Sequence, residues 1–183
     1  MSEELEILKD VAAKLNTAGI PYMVSGSVAM NFCATPRMTR DIDVVIEMQK
    51  KDVERFIALF GKDYYLEADT IRDEVARKGM FNLIHQRSII KVDFVLQKDG
   101  AYDRVAFERR TRVDVDGIGL WLISPEDLVI RKLLWGRDGD SELQLRDVRN
   151  VLAMADALDH VYIERWIHEF ALEPWFEKAK EGR

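Results

Sequence analysis

Apolar residues recur along this chain with two distinct periods. Near the N-terminus Leu5, Leu8, Val11, Ala12 and Leu15 repeat every three to four positions, which predicts an amphipathic helix over residues 3 to 17 with Ser2 as its N-cap. Gly19 and Pro21 end that pattern. The short apolar run Tyr22 to Val24 reads as a buried strand, Ser25-Gly26-Ser27 as a turn, and Val28 to Cys33 as a short helix closed off by Pro36. The run from Asp41 to Met48 is rich in Val and Ile and predicts a second strand. Helical spacing returns over residues 51 to 60, where Val53, Phe56, Ile57 and Phe60 share a face, and a weaker helical pattern covers 69 to 78. Met80 to His85 and Ile89 to Leu96 read as paired strands about Gln86-Arg87-Ser88, and Tyr102 to Arg109 as a short helix. Thr111 to Val115 and Ile118 to Ile123 flank Asp116-Gly117, a hairpin signal.

The period changes for good at Ser124. Ser124-Pro125-Glu126-Asp127 is a helix start, with a serine cap, proline at the first helical position and acids in the first turn. Helical segments are predicted at 125 to 135, 141 to 156, 159 to 170 and from 174 onward. The pattern predicts an α+β fold: a core of small mixed sheet and flanking helices over residues 1–123, then a C-terminal helical subdomain over 124–183. There is no internal repeat and no low-complexity segment.

Composition narrows the function classes. A chain of 183 residues with 48% apolar and 33% charged residues can bury a sizeable core. A net charge of -6 argues against coating nucleic acid by bulk electrostatics, while leaving room for a local basic cleft. No apolar run approaches the roughly 20 residues needed to span a bilayer. The start Met-Ser-Glu-Glu lacks the features of a signal peptide, and the single Cys33 has no internal disulfide partner, so a cytoplasmic, non-membrane protein is expected.

The candidate chemistry centres on Asp41-Ile42-Asp43. Strand residues i and i+2 point to one face, so the two carboxylates project together while Ile42 and Val44 face the core. Side-by-side carboxylates repel unless a divalent cation lies between them, and Mg²⁺ takes a few carboxylates together with waters and phosphate oxygens. An isolated Asp-x-Asp is most often a solvated strand edge. Three neighbours argue for more. Gly26-Ser27 follows a buried strand and could offer backbone amides to a phosphate. Asp93 sits in the apolar run Ile90 to Leu96, where an unpaired acid costs several kcal/mol. Arg37 and Arg40 lie just before the acid pair and could steer a polyphosphate. His85, His160 and His168 have no metal-ligand spacing, Cys33 reads as a core residue, and Trp121, Trp135, Trp166 and Trp175 read as seals between helices.

Gly26-Ser27, a spacer of 13 residues and then Asp41-Ile42-Asp43-Val44 resembles the signature of the polymerase-beta-like nucleotidyltransferase superfamily. Thr39-Arg40-Asp41-Ile42-Asp43 is especially similar to its small bacterial and archaeal members; Ser25 stands where that family usually has an apolar residue. The resemblance implies that Gly26 and Ser27 contact a triphosphate and that Asp41, Asp43 and Asp93 bind Mg²⁺, with Mn²⁺ as a substitute. Farther on, Ser124-Pro125-Glu126-Asp127-Leu128, Lys132 and Arg146-Asp147 resemble the C-terminal motifs of nucleotidyltransferase toxins of toxin-antitoxin and abortive-infection systems. This implies a phosphate contact for Lys132 and a supporting role for Asp147, although Asn150 replaces the second acid of the usual Arg-Asp-x-x-Asp. On residue type alone, Lys132 would snorkel to solvent and Arg146-Asp147 would form a surface ion pair. The implied activity is Mg²⁺-dependent transfer of a nucleoside monophosphate from a nucleoside triphosphate to a hydroxyl. The acceptor is RNA, as in the toxins, or a small molecule of the aminoglycoside or lincosamide kind. An antitoxin is an expected partner under the toxin resemblance, and the oligomeric state is open. A non-catalytic nucleotide-binding or antitoxin-like module is disfavoured because all three acids are present.

Overall fold

In the computed structural model, which describes residues 3–39 and 41–181, the two periods resolve into a mixed sheet with helices on both faces. The elements are α1 (Glu3–Ala18), β1 (Tyr22–Ser25), α2 (Gly26–Met30), β2 (Asp41–Ile46), α3 (Val53–Phe60), β3 (Tyr64–Tyr65), α4 (Ala68–Arg77), β4 (Met80–His85), β5 (Lys91–Leu96) and α5 (Ala101–Glu108). A hairpin of β6 (Thr111–Val115) and β7 (Ile118–Leu122) follows, then α6 (Pro125–Gly139), α7 (Glu142–Met154), α8 (His160–Glu169) and α9 (Glu173–Glu181). The strand order is β3-β4-β5-β2-β1-β7-β6. β2 runs parallel to β5 and β1 parallel to β7, and the remaining pairs are antiparallel. The α+β class expected from the pattern is the class observed.

Alternation along the two central strands sets the two faces apart. Ile42, Val44 and Ile46 on β2 and Val92, Phe94 and Leu96 on β5 are buried, and the residues between them are not. The buried face packs on Phe56 and Phe60 of α3, where the rings of Phe56 and Phe94 meet edge-on at 5.3 Å and those of Phe81 and Phe94 stack at 5.3 Å. The opposite face carries Asp41, Asp43 and Val45 beside Asp93 and Val95. Side chains of the C-terminal helices, among them Leu128, Leu133, Leu145, Val148 and Ile163, join the same contiguous core as Leu8, Val24 and Ile42.

Some local boundaries differ from the sequence expectation. α2 starts at Gly26 rather than Val28, because Gly26 takes φ +63° and turns β1 directly into the helix. It stops at Met30 rather than Cys33, where the Asn31 side chain captures the chain: its amide nitrogen donates to the Arg37 carbonyl at 3.1 Å and its oxygen accepts from the Arg37 N–H at 3.0 Å. The two-residue strand β3 and a 3₁₀ turn at Lys50–Asp52 are too short to leave a periodic trace. β5 begins at Lys91 because Ile89 lies in the left-handed region at φ +59°. The expected N-cap Ser2 lies outside the described residues. No described helix is long and apolar enough to cross a membrane.

Candidate active site

The parallel pairing of β2 with β5 places Asp41 opposite Lys91 and Asp43 opposite Asp93, at the N-terminal ends of both strands. On its other side β2 pairs with β1, which puts Ser25 opposite Asp43. Gly26 follows and touches the Asp43 carboxylate so closely that a Cβ on Gly26 would lie 1.9 Å from Asp43 Oδ2. Glycine is needed there twice, for its positive φ and for the space the carboxylate occupies.

The three acids are unequal. Asp41 is open, with 54% of its side chain exposed, whereas Asp93 is 14% exposed. Burial, and then the charges of Asp93 and Asp41, push Asp43 up to about 6, with Lys132 and Lys91 offsetting part of the rise. Lys91 Nζ lies 2.8 Å from Asp93 Oδ2 and 3.7 Å from Asp41 Oδ1, and the bond to Asp93 holds the ammonium above its ordinary range. The donor set suits Mg²⁺: hard carboxylate oxygens from adjacent strands, with Asp43 disfavoured as an anion by burial and then by its two acidic neighbours. Among the described residues no three acids are gathered closely enough to hold an ion as they stand, and the Lys91 ammonium lies against Asp93.

A second cluster borders the first. Arg37 spans both oxygens of Asp147, from Nε at 3.1 and 3.3 Å and from Nη2 at 2.9 Å, and its Nη2 also donates to Ser27 Oγ at 2.5 Å. Lys132 Nζ donates to Asp147 Oδ2 at 2.7 Å and to Gln144 Oε1 at 3.1 Å. Burial opposes the charge on Asp147, but the hydrogen bonds from Arg37 and Lys132 outweigh it and hold the carboxyl below its ordinary value. Burial lowers Lys132, against the pull of Asp147.

Two expectations based on residue type therefore fail. Lys132 does not snorkel, since its side chain is 0% exposed. Asp147 is 2% exposed and pairs with Arg37 and Lys132, whereas Arg146 is exposed on the other side of α7. Both failures have one cause: α6 and α7 pack against each other, and α6 packs against α2, so the helix faces bearing these residues are interior. Asn150, where the toxin-like pattern has an acid, instead donates to the Thr35 carbonyl at 3.0 Å and ties the segment after α2 to α7. Arg40 lies outside the described residues.

Beside Asp43 a cavity of about 230 Å³ opens between the exposed sheet face and α6, lined by Asp43, Met80, Val95, Asp103, Arg131 and Trp135. Arg131 and Asp103 are paired on its wall, with Arg131 Nη2 donating to Asp103 Oδ1 at 2.6 Å. Trp135, expected to seal a helix contact, is 43% exposed at this wall. Sequence reasoning gave Lys91, Asp103 and Arg131 no role and missed the place of Trp135 at this site. Of these only Lys91 carried a signal, standing two positions before Asp93 and hence on its face.

Solved structures similar to this chain include nucleotidyltransferases and a nucleotidyltransferase-like protein. An antigenic nucleotidyltransferase-like protein from Paracoccidioides brasiliensis is 16% identical with a TM-score of 0.56, over 95% of this chain and 90% of that one. The antibiotic-resistance factor ANT(2'')-Ia is 14% identical with a TM-score of 0.57, over 93% of each chain. The lincosamide antibiotic adenylyltransferase LnuA, solved with lincomycin bound, is 15% identical with a TM-score of 0.53, over 82% of this chain and 96% of that one. At such identities the likeness concerns the fold alone. No curated protein matches the sequence. Residues 4–173 match the family described as nucleotidyl transferase of unknown function (DUF2204), and the chain belongs to that family.

Proposed function

We propose that this protein transfers a nucleoside monophosphate from a nucleoside triphosphate to a hydroxyl of a small molecule seated in the cavity beside Asp43. The observation that carries the reading is the carboxylate set itself: Asp43 and Asp93 in register on neighbouring strands, Asp41 next to them, and Asp43 pressed against Gly26. In the reaction the acceptor oxygen attacks the α-phosphorus, the bond to the bridging oxygen breaks, and pyrophosphate leaves with the electron pair. Mg²⁺ held by Asp41, Asp43 and Asp93 would supply charge neutralisation for the entering and leaving oxygens. The Asp93 carboxylate accepts the hydroxyl proton, and Gly26, Ser27 and the adjoining cations bind the β and γ phosphates. Residues 1–123 thus carry the chemistry, and 124–183 contribute the cavity wall through Arg131 and Trp135.

A partly enclosed cavity with an aromatic wall and an acid–base pair favours a small acceptor over RNA. ANT(2'')-Ia and LnuA, whose names mark them as an antibiotic-resistance factor and a lincosamide antibiotic adenylyltransferase, support the same choice by fold analogy. The test offers each α-labelled nucleoside triphosphate and Mg²⁺ with total tRNA, an aminoglycoside panel and lincosamides. Label on a small molecule is expected; label on tRNA alone would replace this acceptor assignment with the RNA one. Asp43→Asn is expected to abolish transfer with circular dichroism unchanged. Wild-type turnover of that variant at saturating Mg²⁺ would sink the site assignment.

A further inference from the structure

We infer that Arg37, and not Lys132, is the cationic side chain that meets the triphosphate, and that Lys132 and Asp147 serve to position it. The inference rests on the transferase reading above and adds to it a phosphate-binding residue together with the device that holds it.

Charge and access both single out Arg37. The cluster brings two cations to one buried carboxylate, so it holds a surplus positive charge. Lys132 cannot present that charge, because its side chain is fully buried and its ammonium is bonded to Asp147 and Gln144. Withdrawing it would leave Asp147 with one partner fewer in an apolar setting. Arg37 is 26% exposed and keeps donor capacity on Nη1, which reaches the Met38 carbonyl only at a long 3.4 Å. A guanidinium presents its donors in a fixed planar fork suited to phosphate oxygens.

Position agrees with charge. Arg37 Nη2 donates to Ser27 Oγ, and Ser27 is the residue after Gly26, which touches Asp43. A hydroxyl that accepts from arginine still has its own hydrogen to donate to a phosphate oxygen. The arginine is also held before any ligand arrives. Asn31 grips its backbone N–H and carbonyl, Asn150 of α7 binds the Thr35 carbonyl, and Asp147 fixes the guanidinium plane from the opposite side. Such preorganisation lowers the ordering cost of binding. The C-terminal helices thereby act on the phosphates indirectly, through the side chain of a residue near the acid pair.

The test measures binding of a non-hydrolysable ATP analogue and of tripolyphosphate, each with Mg²⁺, by titration calorimetry, with unfolding midpoints recorded alongside. Arg37→Ala leaves the Lys132–Asp147 pair balanced, and it is expected to weaken both probes about ten- to hundredfold, as loss of a charged hydrogen-bond donor does. Arg37→Lys is expected to restore part of that loss. Lys132→Met is expected to lower the midpoint more than Arg37→Ala does and to weaken binding less. Its effect on affinity should vanish in the Arg37→Ala background, because it acts through Arg37. Wild-type affinity in Arg37→Ala, or a larger loss in Lys132→Met than in Arg37→Ala, overturns the inference alone. Failure of the wild-type protein to bind either probe overturns it together with the transferase reading.

Discussion

Replacing Gly26 by alanine separates the backbone requirement of the site from its chemical one. At φ +63° an L-residue costs about 1–2 kcal/mol. The new methyl would also stand 1.9 Å from Asp43 Oδ2 and 2.8 Å from its Cγ. A carboxylate is the free end of a side chain, so it relieves that contact by rotating away. The fold therefore loses little, and the unfolding midpoint should drop by about 2–8 °C for a chain of this size. The metal site, by contrast, loses the placement of its central ligand, and Mn²⁺ affinity should fall about 10- to 100-fold, with transfer falling at least as far. Gly19→Ala is the matched control: Gly19 has φ +61°, and a methyl added there would have nothing within 4 Å, so it incurs the strain without the collision. Calorimetric or electron-paramagnetic titration of Mn²⁺ into both variants, with thermal melts, measures the difference. If Gly26→Ala binds Mn²⁺ as tightly as Gly19→Ala, the contact with Asp43 does not organise the site and the reasoning is refuted.

Two further outcomes follow from the same charges. Asp43 titrates near 6 in the folded, metal-free chain against an ordinary 3.8, so its ionisation opposes folding. That penalty is absent below about pH 4 and complete above about pH 6, where it reaches at most about 3 kcal/mol. In EDTA the midpoint should fall across this window, Asp43→Asn should remove that part of the fall, and an unchanged profile in the variant would contradict the assignment. Lys91→Met removes the ammonium bonded to Asp93 and close to Asp41. It should lower the midpoint in EDTA and tighten Mn²⁺ binding, since the ion no longer competes with a tethered cation; weaker Mn²⁺ binding would show that Lys91 supports the ion instead of giving way to it.

Much of this protein is written in local sequence. The alternation through Asp41 to Ile46 placed both acids on the face opposite Ile42 and Val44, as the structure has them. Ser124-Pro125-Glu126-Asp127 announced α6, and the Ser124 hydroxyl does accept from the Asp127 N–H at 3.1 Å. An acid inside the apolar run at 90–96 marked Asp93 as a residue needing a partner, and Lys91 and the in-register Asp43 are what it meets. These features are readable because strand alternation, helix caps and the cost of burying a charge act over a few residues.

Tertiary packing decided the rest. Arg37 and Asp147 are 110 positions apart, and no periodicity relates them. By residue type Lys132 and Asp147 belonged at the surface, and only the packing of α6 against α7 and α2 turned them inward and made each the other's counter-charge. The same packing set Arg131 and Trp135 across a cavity from Val95 and Met80. The sequence by itself determined which residues could do chemistry and which face of a strand would carry them. The tertiary structure decided which charges stay buried, which one remains open to a ligand, and what surrounds the acids, because burial and pairing depend on segments that only the folded chain brings together.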